Sequence, residues 1–273
     1  MITDILIGPS ILMYHSIADN SDDRYSVPIE SFRQQISWLF EHGFEVVPLS
    51  FLVRSIQTRS NGNLRKKVVI TFDDGYKDFL DNALPILLVH RAVATVFLVT
   101  DLLGGSASWN ESGAHDRLMS EDEVRCIKAQ GISLGSHTAT HVNLSLLNHE
   151  DLQRQLLDSR DRLTLLGETF YAFAYPWGQW SNQVVDAVKA SGYECAVAVG
   201  EKTRFAANDI YSLPRITMIR EMDLKRFQSL LTRTRAEMKL RRIYRAVLSA
   251  GLGRHGIPLG KNGTKRFEGV STG

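Results

Sequence analysis

The chain has 273 residues, 44% of them hydrophobic and 23% charged, with a formal net charge of +2 and two cysteines. That length buries a sizeable core in one large α/β domain or two small ones. Cys126 and Cys195 lie far apart in unrelated contexts, which excludes a disulfide framework and a Cys-x-x-Cys metal site. No stretch reaches the roughly 18 consecutive apolar residues of a membrane span.

From the N-terminus, MITDILIGPSILMYHSI is apolar but lacks a basic start, carries Asp4 and is interrupted by Gly8 and Pro9. It makes a poor signal peptide, so the expected location is cytoplasmic. Short apolar runs then recur as predicted strands: ILMYHSI (11–17), FEVVPL (44–49), VVITFDD (68–74), ATVFLVT (94–100), ISLGSH (132–137), FAYPWG (173–178), CAVAV (195–199) and LPRITM (213–218). Between them, IESFRQQISWLFEHG, FLDNALPILLVHR, SEDEVRCIKAQG, HEDLQRQLLDSRDRLTLLG and NQVVDAVKASG carry helical periodicity. Several of these end in Gly, and the third opens on Ser120 and Glu123 at capping-box spacing. RSNGNLRKK (59–67) and GGSASWNESGAHDR, around Trp109, read as polar loops.

Strand–helix alternation with strands apolar on both faces predicts a parallel sheet covered by helices. Seven or eight such units in about 220 residues favour a closed or nearly closed barrel. The expected fold is therefore α/β, a distorted (β/α) barrel of about seven strands forming a single domain over residues 10–222. Residues 223–273 are expected to form a basic C-terminal helix and a loosely ordered tail. Twelve Lys and Arg stand against two acidic residues from position 225 onward, whereas the preceding part has twenty against twenty-eight. A solvated helix and a peripheral contact with the inner face of a membrane are both compatible with that split. No nucleic-acid partner is expected.

In a parallel barrel the chemistry gathers where strands end. His15, Asp73, Asp74, His137, Trp177 and Arg215 all fall at or near such ends. His137 and His141 are four residues apart, which on a helical turn puts both rings on one face and suits a metal ion. Alone, the pair is a common coincidence in a chain with eight histidines. Asp73 and Asp74 repel each other unless a cation or a proton separates their roles: one carboxylate on a metal, the other a general base. Two aspartates capping the helix after Gly75 would read the same way.

TFDDG (71–75), SHTATH (136–141) and YPWG (175–178), in that order, resemble the first three motifs of the polysaccharide deacetylase family, the NodB-homology domain of carbohydrate esterases. The resemblance implies a metal-dependent hydrolase that removes N-acetyl groups from a glycan or glycan precursor, with zinc the expected ion. It implies Asp74, His137 and His141 as metal ligands, Asp73 as catalytic base, and the backbone N–H of Trp177 as oxyanion donor. Where the family's third motif carries an arginine this chain has Ala174, and Arg215 is the expected substitute for orienting the base. No C-terminal Leu-x-His motif follows residue 215. LMYHSI (12–17) is similar to the circularly permuted members, which implies His15 as the acid. Cleavage of a small formamide or cyclic amide, and a weakly catalytic glycan-binding protein, are the alternatives. Tyr14, Tyr76, Trp109, Tyr175, Trp177 and Trp180 are aromatics expected near the rim.

Overall fold

Strand and helix alternate through residues 10–19, 21–58, 64–109, 117–200 and 210–232, which the computed structural model describes. In chain order the elements are β1 (Ser10–Tyr14), β2 (Ser16–Ile17), β3 (Ser26–Val27), α1 (Ile29–Glu41), β4 (Glu45–Val46), α2 (Leu49–Gln57), β5 (Lys67–Phe72) and α3 (Leu84–Val89). They continue with β6 (Thr95–Leu98), α4 (Glu121–Ala129), β7 (Ser133–Ser136), α5 (His149–Leu165), β8 (Ala172–Ala174), α6 (Asn182–Ala190), β9 (Cys195–Val199), β10 (Leu213–Thr217) and α7 (Leu224–Thr232). The chain divides into two compact units, residues 1–227 and 228–273. Most of the expected basic C-terminal helix, with the tail, lies outside the described residues.

The ring order is β1-β10-β9-β8-β7-β6-β5, and β5 returns to β1. Leu12 sits opposite Ile70 on one side of β1 and opposite Ile216 on the other, so the N-terminal strand is the stave that closes the barrel. Every pairing in the ring is parallel, which brings all seven strand ends to one rim. β4 is an extra stave beside Lys67 and Val68, at the start of β5, where β6 has not yet begun to pair.

Alternation along each strand sends every second side chain inward. Ile11, Val69, Phe97, Ala172, Cys195 and Leu213 belong to one buried apolar cluster with Leu49, Leu52, Val53 and Ile56 of α2. These α2 residues recur at i, i+3, i+4 and i+7, the stripe of a helix that buries one face. Burying each such side chain contributes about 1.5–3 kcal/mol, and α2 thereby plugs the end of the barrel opposite the rim. Room inside comes from Gly135 of β7, where a Cβ would lie 2.4 Å from the Phe97 ring.

Several expected boundaries shift. ILMYHSI is two strands broken at His15, FAYPWG is strand only to Ala174, and FEVVPL yields two strand residues before α2 begins after Pro48. α2 fills residues that carried no expected element beyond Leu49, although Pro48 followed by that stripe is a helix start. The capping box on α4 forms as expected: Glu123 N–H donates to Ser120 Oγ, and Ser120 N–H to Glu123 Oε2.

Candidate active site

Inward alternation along β5 runs Val69, Thr71, Asp73, so the rim end of this stave presents a carboxylate to the barrel mouth. Strict alternation would send Asp74 outward into the helix layer. Instead Asp74 (φ 70°) and Gly75 (φ 78°) are both left-handed, and Gly75 N–H donates to Asp73 O at 2.9 Å. The chain reverses within two residues, and both carboxylates face one cleft. Asp tolerates that conformation better than most residues. At position 75 a Cβ would also lie 2.9 Å from Leu98 Cδ2, which leaves glycine as the fit. No helix is capped by the pair: a π-helical turn, Phe79–Ala83, has Asp78 at its N-cap and runs on into α3.

Bond by bond, Asp73 is held in place. Arg215, inward on β10 and 1% exposed, donates from its two terminal nitrogens to Asp73 Oδ1 and Oδ2 at 2.5 and 2.6 Å. It also donates to Thr71 Oγ1 at 3.2 Å. Burial pushes the Asp73 carboxyl up, but the guanidinium, with help from His137 and His15, outweighs this and holds it below the usual carboxylate range. A bidentate arginine leaves each carboxylate oxygen a second lone pair.

Beside it, Asp74 Oδ1 lies 3.4 Å from His137 Nε2 and 3.3 Å from His141 Nε2, with all three side chains buried. His137 Nδ1 sits 2.8 Å from the carbonyl oxygen of Ala174. A carbonyl only accepts, so Nδ1 carries the hydrogen and Nε2 offers its lone pair to the cleft. Burial pushes the His137 pKa down to about 4, which keeps that lone pair free near neutrality. Asp74 Oδ1 is buried with no hydrogen-bond donor among the described residues. Burial opposes its ionisation, yet the facing histidines hold the carboxyl below the usual range. Two imidazole nitrogens and a carboxylate oxygen within 4.8 Å of one another are a donor set that fits a divalent ion.

The second histidine arrives differently from the expectation. GSHTATH forms a turn, with no helix, in which Thr138 (φ 69°) and His141 (φ 60°) are left-handed. Hydroxyls staple it: Thr138 N–H donates to Ser136 Oγ and His141 N–H to Thr138 Oγ1. The two rings, with centroids 5.0 Å apart, converge through this turn.

His15 occupies the break between β1 and β2 and lines the same cleft, of about 350 Å³, as Asp73, Asp74, His137, His141 and Trp177. Arg215 lies behind Asp73. Trp177 is left-handed (φ 60°) in the short turn Pro176–Gly178, and its ring, 55% exposed, forms part of the wall. Of the expected rim aromatics, Tyr76, Trp109 and Tyr175 line the cleft and Trp180 does not. Tyr14 is fully buried in the core, its hydroxyl donating to Gln35, because residue 14 alternates outward from the barrel. Sequence reasoning missed Asp23 and Tyr25, which reach the cleft from the segment between β2 and β3. The Tyr25 ring lies 4.9 Å from that of His15. Nothing in the polar stretch SDDRYS distinguishes it from an ordinary loop.

A family model described as polysaccharide deacetylase matches residues 60–196, half of the chain. The Bacillus subtilis relative YxkH is 27% identical over 208 residues, covering 76% of this chain and 70% of its own. The poly-β-1,6-N-acetyl-D-glucosamine N-deacetylase of Staphylococcus epidermidis is 28% identical over 222 residues, 73% of each chain. Among solved structures, the Streptococcus pyogenes deacetylase PplD in complex with acetate superposes with a TM-score of 0.72 at 26% identity, covering 82% of this chain and 98% of its own.

Proposed function

The chain belongs to the polysaccharide deacetylase family, and from that premise we propose how its cleft works: it hydrolyses the N-acetyl group of an N-acetylglucosamine-containing glycan, with Asp73 as base and His15 as acid. The reaction is amide hydrolysis at a carbon–nitrogen bond that is not a peptide bond, releasing acetate and leaving an amine on the sugar. One observation carries the assignment of roles: two adjacent carboxylates have different partners, Asp73 a buried arginine and Asp74 two imidazoles.

Asp74, His137 and His141 are the residues that would hold a divalent ion, zinc for preference, since two imidazoles and one carboxylate suit it. When bound, such an ion supplies Lewis acidity, polarising the acetyl carbonyl and acidifying the attacking water. Asp73 accepts the proton of that water on the lone pairs Arg215 leaves free, and Arg215 keeps the carboxylate ionised and aimed at the cleft. As the carbonyl carbon becomes tetrahedral, the Trp177 N–H donates to the developing oxyanion, a contribution of about 3 kcal/mol for a well-placed donor. His15 then delivers a proton to the departing nitrogen, because an amine anion is too basic to leave unaided. The carbon–nitrogen bond breaks, and Asp73 retains the proton taken from water until solvent removes it.

The substrate expected is a β-linked N-acetylglucosamine oligomer or polymer. The relatives named as poly-β-1,6-N-acetyl-D-glucosamine N-deacetylases support that reading, as does a cleft that opens beside exposed Trp177 and Tyr25. Acetate and new free amine are to be measured together on β-1,6- and β-1,4-linked N-acetylglucosamine oligomers. A chelator should stop both, and zinc should restore both in equal amounts. Acetate release without new amine, or release indifferent to chelation, would contradict the assignment.

A further inference from the structure

His137 and His141 are held in different ways. His137 has its Nδ1 on the Ala174 carbonyl, the kind of outer partner that ordinarily fixes a metal-ligating imidazole. His141 Nδ1 is buried with no hydrogen-bond partner among the described residues. What touches its ring is aromatic: Trp109 stacks on it with centroids 3.9 Å apart and planes 23° apart, and Trp177 tilts against it at 4.9 Å and 57°.

Trp109 is itself braced. Gly104 N–H donates to Met119 O and Leu118 N–H to Gly105 O, which ties together the two described parts of the loop between β6 and α4. Met119 N–H donates to Gly75 O and Lys77 N–H to Arg117 O, which ties that loop to the chain just after the two aspartates. The indole packs on a cluster of Tyr76, Ala107 and Leu118. The turn that presents Asp74 and the loop that presents Trp109 are therefore one bonded unit, with His141 between them.

We infer that Trp109 is a positioning residue for His141: its face fixes the plane of the imidazole where a hydrogen bond to Nδ1 would otherwise do so. Stacking suits a ligand histidine, because an imidazole that gives up electron density to a cation is drawn more strongly to the negative face of an indole. The inference rests on the assignment of Asp74, His137 and His141 as the metal site.

Zinc affinity of the full chain, measured by competition with a chromophoric chelator, tests it. Trp109→Phe keeps a ring face and should bind within about threefold of wild type. Trp109→Leu keeps apolar packing on Tyr76 and Leu118 but has no face, and its dissociation constant should rise roughly 10- to 100-fold, the usual effect of losing an outer partner. The absorption bands of the cobalt-loaded protein should shift in Trp109→Leu and not in Trp109→Phe. Trp109→Gln repeats the ringless case if Trp109→Leu fails to fold. A folded ringless variant that binds zinc as tightly as wild type overturns the inference. Wild-type protein that binds no stoichiometric zinc overturns instead the metal assignment beneath it.

Discussion

Arg215 and Asp73 each carry a charge into a site from which water is largely excluded, and such charges persist only when matched. Lysine at 215 keeps the charge and loses the fork that grips both carboxylate oxygens. Arg215→Lys should lower kcat about 100-fold with little change in KM, since misplacing the base weakens the chemical step more than binding; steady-state kinetics on one oligomer decides. An equal fall in kcat/KM through KM alone would mean that Arg215 acts on substrate binding. At this scale the sequence was informative. Asp73, Asp74, His137 and His15 stood out as polar residues at strand ends, and Arg215 was expected as the substitute for the arginine that Ala174 replaces. Illegible were the two left-handed turns, Asp74–Gly75 and Thr138–His141, that swing Asp74 and His141 into the cleft, because backbone reversals of that kind are decided by neighbouring bonds. The family model begins at residue 60, so it leaves His15 to geometry alone.

Among the elements, β7 is anchored by a buried carboxylate. Glu168 accepts from Leu134 N–H at 2.8 Å, Lys128 Nζ at 2.9 Å and Thr169 N–H at 2.9 Å. Burial would raise its pKa, but these donors outweigh it and hold the carboxyl below the usual glutamate range. A depressed folded pKa gives stability that is present above the unfolded value of about 4.3 and is lost as pH falls through the folded one. Glu168→Gln should therefore cost about 1–3 kcal/mol near pH 7, and the difference from wild type should shrink below about pH 4. Urea unfolding at both pH values checks it, and a difference independent of pH would rule out the charge as the cause. The turn carrying Trp177 is as tightly specified. Gly178 is left-handed (φ 64°), and a Cβ there would lie 2.7 Å from Val199 Cγ2. Gly178→Ala should lower activity more than stability, by displacing the Trp177 N–H. Thermal unfolding and kcat measured on one preparation would separate the two. Element types were legible wherever periodicity was unbroken, as in α1, α4, α5 and α6. α2 was not, because the apolar run before it blurs into it and only Pro48 marks the change.

For the whole molecule, the barrel works because one end is plugged by α2 and the other left open as the cleft. Phe97 spans the interior and needs Gly135 opposite it. Gly135→Ala overpacks the ring and should cost about 1–3 kcal/mol, whereas Phe97→Ala leaves a cavity and should cost about 3–5 kcal/mol; urea titration of each gives the comparison. If the double variant recovers none of the Gly135→Ala loss, the ring is not the contact that matters. Closure by β1 was not deducible from periodicity, which counts staves without saying that β1 pairs with both β5 and β10 to complete the ring. That closure brings His15 to the rim where Asp73 stands. The central claim is that Asp73 is the base of a metal-assisted N-deacetylation, and its most direct test is acetate release by Asp73→Asn with bound zinc measured in the same sample. The structure predicts wild-type zinc content, a folded chain and a loss of kcat of at least about a thousandfold. Acetate release near the wild-type rate from zinc-loaded Asp73→Asn would contradict it.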